Sequence, residues 1–230
     1  MKTIGMLGGM SWESTAHYYQ ALNQGVKKRL GGHHSAEVLM RSVDFSSIAE
    51  KQEQGDWLGL AETLAKEAKK LEVGGADFLL ICTNTMHKVA PEIEQSLNIP
   101  LLHIADVTAK ALAQSGVTKV GLLGTAFTME QDFYKKRLID DFSIEVVVPN
   151  GVQRKLIHDV IYQELVHGIV NSVSKSDFLV VIDDLRERGV EAVILGCTEI
   201  AMLVQPQDTV VPLFDTTELH AQAAIELALA

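Results

Sequence analysis

The chain has 230 residues, 47% of them hydrophobic and 22% charged, with two cysteines and a formal net charge of -10. A chain this long and apolar builds one or two compact domains, which excludes a disordered polymer and a small disulfide scaffold. The acidic balance repels phosphate backbones and anionic lipid alike, so neither nucleic acid nor a membrane is expected as a partner.

Met1-Lys2 runs into Thr3-Ile4-Gly5 with no long apolar stretch behind it, so the sequence predicts no signal peptide, a cytoplasmic protein and reduced thiols. Ile4-Gly5-Met6-Leu7 reads as a first strand. The turn Gly8-Gly9-Met10-Ser11 follows, with Ser11 as N-cap of a helix carrying Glu13 in its first turn and Lys27, Lys28 and Arg29 near its end, in accord with the helix dipole. That turn has two readings, a tight strand-to-helix connection or a set of backbone N–H groups facing an anion. Its spacing is neither a dinucleotide fingerprint nor a P-loop.

Trp57, Leu60, Ala61, Leu64, Ala65, Ala68 and Leu71 recur at three and four residues, opposite Glu62, Lys66 and Lys69, which predicts an amphipathic helix packed on a sheet. The run Phe78-Leu79-Leu80-Ile81-Cys82 is a buried strand, far short of a membrane span, and leads into Thr83-Asn84-Thr85-Met86-His87. Short strands are also expected at Ile99-Pro100-Leu101-Leu102, Val120-Gly121-Leu122-Leu123, Ala192-Val193-Ile194-Leu195 and Val211-Pro212-Leu213-Phe214. Residues 217–230 are helical in period. Strands alternating with helical stretches predict an α/β fold built on parallel sheets.

Three segment pairs repeat in the same order. Ile4-Gly5-Met6-Leu7-Gly8-Gly9 matches Val120-Gly121-Leu122-Leu123-Gly124-Thr125 at an offset of 116, Thr83 falls on Cys197 at 114, and Ile99-Pro100 falls on Val211-Pro212 at 112. The chain therefore reads as a duplicated α/β unit. The expected domains are residues 1–105 plus 215–230, and residues 106–214, two similar Rossmann-like units related by a pseudo-two-fold with strand carboxyl ends facing a shared cleft.

Chemistry concentrates at two of those strand ends. Hydroxyls and N–H groups at a strand's carboxyl end before a helix start can hold a carboxylate, and a thiol there would feel the positive end of the dipole, which lowers its pKa. Cys82, inside an apolar run, reads as a small core hydrophobe. Cys197, flanked by Gly196 and Thr198, reads as functional.

Gly8-Gly9-Met10-Ser11 with Ser14-Thr15, the Asn84-Thr85-Met86-His87 segment and Gly196-Cys197-Thr198-Glu199 together resemble the cofactor-independent aspartate/glutamate racemase family, in its aspartate/glutamate-specific branch. The resemblance runs through the whole chain. It implies two α/β domains with the site at their interface, an amino-acid substrate, no pyridoxal phosphate or metal, a homodimer, and two cysteines on opposite faces of the substrate's α-carbon, one taking a proton and the other returning one.

The family's first motif reads Cys-Asn-Thr-x-His, whereas here Thr83 precedes Asn84 and the cysteine stands one place earlier. Side chains alternate along a strand, so with Thr83 facing the site Cys82 faces the packed side. A threonine hydroxyl is a poor base at neutral pH but can pass on a proton. The expectation is an asymmetric racemase favouring the L-to-D direction, with Cys197 as proton acceptor and Thr83 as donor. By resemblance Met10 (through its backbone), Gln52, Asn84, Thr85, Thr125 and Thr198 surround the substrate carboxylates. Glu199 has two readings, a contact to the substrate ammonium or a charge at a helix start; His87 is a site-tuning or a structural histidine. Arg41, Lys51, Lys88 and His103 are unranked candidates for the cation that meets the side-chain carboxylate.

The rival expectations keep the fold and change the reaction to a maleate isomerase, hydantoin racemase or arylmalonate decarboxylase type, or make the chain an amino-acid-binding protein that has lost one catalytic base. A thiol-redox protein is disfavoured because the two cysteines lack C-x-x-C spacing.

Overall fold

A computed structural model describes residues 1–230. The chain divides into two compact units, Met1–Ile104 with His220–Ala230, and Ala105–Leu219. No helix is long and apolar enough to cross a membrane.

The first unit runs β1 (Ile4–Gly8), α1 (Trp12–Leu30), β2 (Val38–Ser42), α2 (Phe45–Glu53), α3 (Trp57–Val73), β3 (Phe78–Ile81), a 3₁₀ turn (Thr85–Val89) and α4 (Ala90–Gln95). Its parallel sheet has the order β2-β1-β3. The fully buried β1 separates two cores. On one face Leu7, Leu79 and Ile81 pack with Leu60, Leu64, Ala68 and Leu71 of α3; on the other Ile4, Met6, Phe78, Leu80 and Cys82 pack with Tyr18, Leu22 and Val26 of α1. Adjacent residues of β3 thus alternate between cores, as a strand's two-residue period requires, and Cys82 faces α1. The Ser11 side chain caps α1 by accepting the Ser14 N–H.

The second unit holds α5 (Ile104–Gln114), β4 (Lys119–Gly124), α6 (Ala126–Glu130), α7 (Asp132–Phe142), β5 (Glu145–Val147), α8 (Gly151–Gln163), α9 (Ser172–Glu187), β6 (Ala192–Gly196), α10 (Ile200–Leu203), β7 (Leu213–Asp215) and the start of α11 (Thr216–Leu229). Its sheet order is β5-β4-β6-β7, again parallel. From Ala221 onward α11 packs with Ile4, Met6 and Phe78 in the first unit.

The internal repeat is visible in the hydrogen bonds. Ile4 pairs with Phe78 as Val120 pairs with Ala192. The Leu79 N–H donates to the Pro100 carbonyl at 2.9 Å, and the Val193 N–H to the Pro212 carbonyl at 2.9 Å. The segment around Leu101, expected as a strand, makes a single parallel bridge with Leu79 where its counterpart forms β7. Two of the edge strands, β2 and β5, lie outside the strands that sequence marks: β2 is half-exposed with Arg41 and Ser42 in it, and β5 is three residues long, so neither shows the continuous apolar run of a buried strand.

Candidate active site

In the first unit the site is built at the carboxyl ends of β1 and β3. Gly8 has no room for a side chain, because a Cβ would lie 2.3 Å from Thr15 Cγ2. The Gly9 N–H donates to Thr15 Oγ1 at 2.8 Å and that hydroxyl donates to the Ser11 carbonyl at 2.8 Å. The glycine turn is thus closed on itself by Thr15, as the tight-turn reading expects, and Met10 is buried beside Leu7 and Ile48, leaving its backbone as its polar contribution. Ser14 Oγ donates to the Cys82 carbonyl at 3.0 Å, which ties α1 to the chain just before Thr83.

Cys82 is completely buried, and burial pushes its thiol far above the ordinary range. Thr83 is half-exposed, while Asn84 and Thr85 behind it are buried. Gln52 on α2 is buried. His87 is held on both ring nitrogens by main chain: its Nε2 accepts the Ile104 N–H at 3.3 Å, so its Nδ1 carries the proton and donates to the Thr83 carbonyl at 2.8 Å. Those bonds make His87 a neutral brace for the Thr83 main chain, which is its structural reading.

The second unit repeats the layout. Gly124 and Gly196 are paired in adjacent strands, so Thr125 and Cys197 leave the sheet side by side. Thr125 is buried and caps α6; the next N–H, of Ala126, donates to His158 Nδ1 at 3.2 Å. Cys197 is half-exposed between buried neighbours. Its thiol donates to Glu199 Oε2 at 2.9 Å, and Thr198 Oγ1 donates to the same oxygen at 2.6 Å. Thr198 and Glu199 are both buried.

The dipole expectation for this thiol is reversed: desolvation first, and the Glu199 charge second, hold it well above the ordinary thiol value. The physical reason is that the following helix, α10, is a single turn of four residues, whose dipole is small, whereas the carboxylate is in direct contact. Sequence reasoning gave Glu199 to the substrate or the dipole and missed this contact; the closeness of Glu199 to Cys197 in sequence was the available signal.

The four candidate cations all have local partners. Arg41 pairs with Glu67. Lys51 donates to Thr63 Oγ1 at 2.9 Å and the Gly59 carbonyl at 3.1 Å. Lys88 lies 3.6 Å above the Trp57 ring, and His103 is buried against His87 with ring centroids 4.5 Å apart. No group of three or more His, Cys, Asp or Glu side chains is arranged to hold a metal ion.

Residues 7–224 match the family model described as Asp/Glu/hydantoin racemase. Among curated proteins, the broad specificity amino-acid racemase RacX of Bacillus subtilis is 23% identical, over 99% of this chain and 98% of its own length. Among solved structures, a candidate Asp/Glu racemase from Yersinia pestis is 49% identical with a TM-score of 0.94, covering 100% of both chains. An aspartate racemase homologue from Pyrococcus horikoshii is 34% identical with a TM-score of 0.88, again over 100% of both. A glutamate racemase of Francisella tularensis solved with D-glutamate, 14% identical with a TM-score of 0.67 over 99% of this chain and 81% of that one, shares the two-domain α/β fold.

Proposed function

The chain belongs to the Asp/Glu/hydantoin racemase family and is an isomerase of the racemase class; from that premise we propose that it interconverts the enantiomers of aspartate and glutamate, running faster from L than from D. Cys197 accepts the α-proton of the L-substrate and Thr83 supplies one to the opposite face. The observation that carries this reading is the register equivalence of the two residues. Each stands just past the carboxyl end of the strand that pairs with the first strand of its unit, β3 on β1 and β6 on β4, and each is half-exposed between buried neighbours.

In the forward direction the Cα–H bond breaks as the Cys197 S–H bond forms, and the electron pair passes into the carboxylate. The Thr83 O–H then breaks to form the new Cα–H bond, water returns a proton to the Thr83 oxygen, and the proton gained at Cys197 is given up to water. The amide of Asn84, the hydroxyls of Thr85 and Thr125 and the backbone N–H of Thr198, with the Met10 backbone and Gln52, donate to the substrate carboxylates and support the charge that develops there. By the family resemblance the reaction uses no pyridoxal phosphate or metal, and the protein works as a cytoplasmic homodimer.

The equilibrium between enantiomers is near unity whatever the enzyme does, so the asymmetry is kinetic. Incubating each pure enantiomer in deuterium oxide and following α-exchange tests it. L-aspartate and L-glutamate are expected to exchange faster than their D forms; equal rates would sink the assignment of roles. Cys197→Ala is expected to lower L-exchange by about 10²- to 10⁴-fold, the usual worth of a general acid–base group. Thr83→Cys is expected to raise D-exchange about tenfold or more, because a thiol ionises where a hydroxyl does not.

A further inference from the structure

We infer that Glu199 is the immediate acceptor of the Cys197 thiol proton, so that thiol and carboxylate share one proton and the thiolate that attacks the substrate forms by transfer to Glu199 rather than to water. The inference rests on the racemase reading for its consequence, but on geometry for its substance. Cys197 Sγ and Glu199 Oε2 are 2.9 Å apart, with the thiol as donor, and Glu199 is 5% exposed. The hydroxyl of Thr198 holds the receiving oxygen in place at 2.6 Å.

A thiol in this position has a difficulty that the carboxylate resolves. Burial and an adjacent negative charge both oppose a thiolate beside an ionised Glu199. The neutral thiol cannot abstract a proton. Moving the thiol proton onto Glu199 removes the opposing charge in the same step that creates the thiolate, so one negative charge is kept and only its place changes.

The sequence of protons balances. The resting pair is thiol and carboxylate; internal transfer breaks S–H and forms O–H on Glu199, leaving the thiolate. Abstraction breaks Cα–H and forms S–H, so the pair holds two protons while the substrate is a carbanion. After Thr83 protonates the opposite face, the pair releases one proton to water and Thr83 regains one. Glu199 acts through Cys197 and never needs to touch substrate.

Other titratable groups of this unit are engaged elsewhere or exposed to solvent. On β7 Asp215 accepts the Thr217 N–H at 2.8 Å. On α8 His158 accepts the Ala126 N–H and is held neutral chiefly by burial. His167, in a 3₁₀ turn (Leu165–His167) that packs against α10, is exposed. Lys119 begins β4 at the opposite end of the strand that pairs with β6, and forms an ion pair with Glu145. The charge acting on the thiol is that of Glu199.

The test is the pH dependence of two rates, α-exchange of L-aspartate in deuterium oxide and alkylation of Cys197 by iodoacetamide read by mass spectrometry. A pair that holds one proton has a constant thiolate fraction, so in the wild-type protein both rates are expected to be flat between about pH 6 and 8. In Glu199→Gln the thiol must ionise to water, so both are expected to rise about tenfold per pH unit over that range, with exchange near pH 7 about a hundredfold below wild type. An E199Q variant slowed equally at every pH would overturn the inference, since loss of a merely structural residue changes height and not slope. Wild-type alkylation that itself rises tenfold per unit would overturn it too, whether or not the variant folds. Absence of exchange from either enantiomer in the wild type would instead sink the racemase reading, while the alkylation slopes still decide the proton sharing.

Discussion

Gly9 has φ of +91°, and a Cβ there would lie 2.3 Å from the Val43 carbonyl oxygen. No other residue can make that turn without moving β2, which is why a motif that looks like an anion cradle in sequence is fixed by packing. The two cysteines show how far single residues could be read. The repeat offset set Thr83 against Cys197, and strand alternation turned Cys82 into the core; both follow from a period of two, which a sequence displays. The Cys197–Glu199 contact does not, because it lies past the end of β6, where the spacing brings the two residues close but does not say that the carboxylate turns back onto the thiol. Cys82→Ala is expected to lower stability by about 1 kcal/mol, from the lost burial and a small cavity, while leaving α-exchange of L-aspartate intact. Loss of exchange in that variant would make Cys82 a participant.

At the scale of elements, α11 carries a group that couples packing to pH. His220 is fully buried on it. The Tyr18 O–H donates to its Nδ1 at 2.9 Å and its Nε2–H donates to the Leu102 carbonyl at 2.7 Å, which satisfies a neutral ring. Burial pulls its pKa down to about 4. The unfolded chain's histidine takes up a proton near 6.5, so between about pH 6.5 and 4 the unfolded state binds more protons than the folded one. Stability is therefore fully present above 6.5 and lost as pH falls through that window, by about 3 kcal/mol for this group alone. His220→Gln is expected to be less stable at pH 7 yet to lose less on acidification to pH 5; urea unfolding at the two pH values checks it, and an equal acid loss in both proteins would refute it. The helical period of residues 217–230 was legible in sequence. The role of His220 was not, since its partners lie 202 and 118 residues away.

At the scale of the whole molecule, the repeat is what sequence conveyed best: shared strand order and shared register both follow from segments that match in order with slowly drifting offsets. The edges β2 and β5 escaped because half-exposed strands carry mixed sequences. The first unit is discontinuous in sequence, closed by residues 220–230. Gly25 of α1 leaves the space that Ile225 fills, since a Cβ there would lie 2.2 Å from Ile225 Cδ1. Ile225→Ala is expected to destabilise this unit by about 2 to 5 kcal/mol. Both tryptophans, Trp12 and Trp57, lie in it, so tryptophan fluorescence in urea reports it, and an unmoved midpoint would show that α11 contributes little.

That closing helix also sets an order of events during synthesis. The segment with β1 and β3 emerges from the ribosome first, but Ala221, Ala224, Ile225 and Ala228, which cover Ile4, Met6 and Phe78, emerge only after residues 105–219 have been made. At about 5 to 20 residues per second that interval is on the order of ten seconds. This unit is completed only after the second has been made, and through that interval the face of its sheet that α1 packs on lacks the part of its cover that α11 supplies.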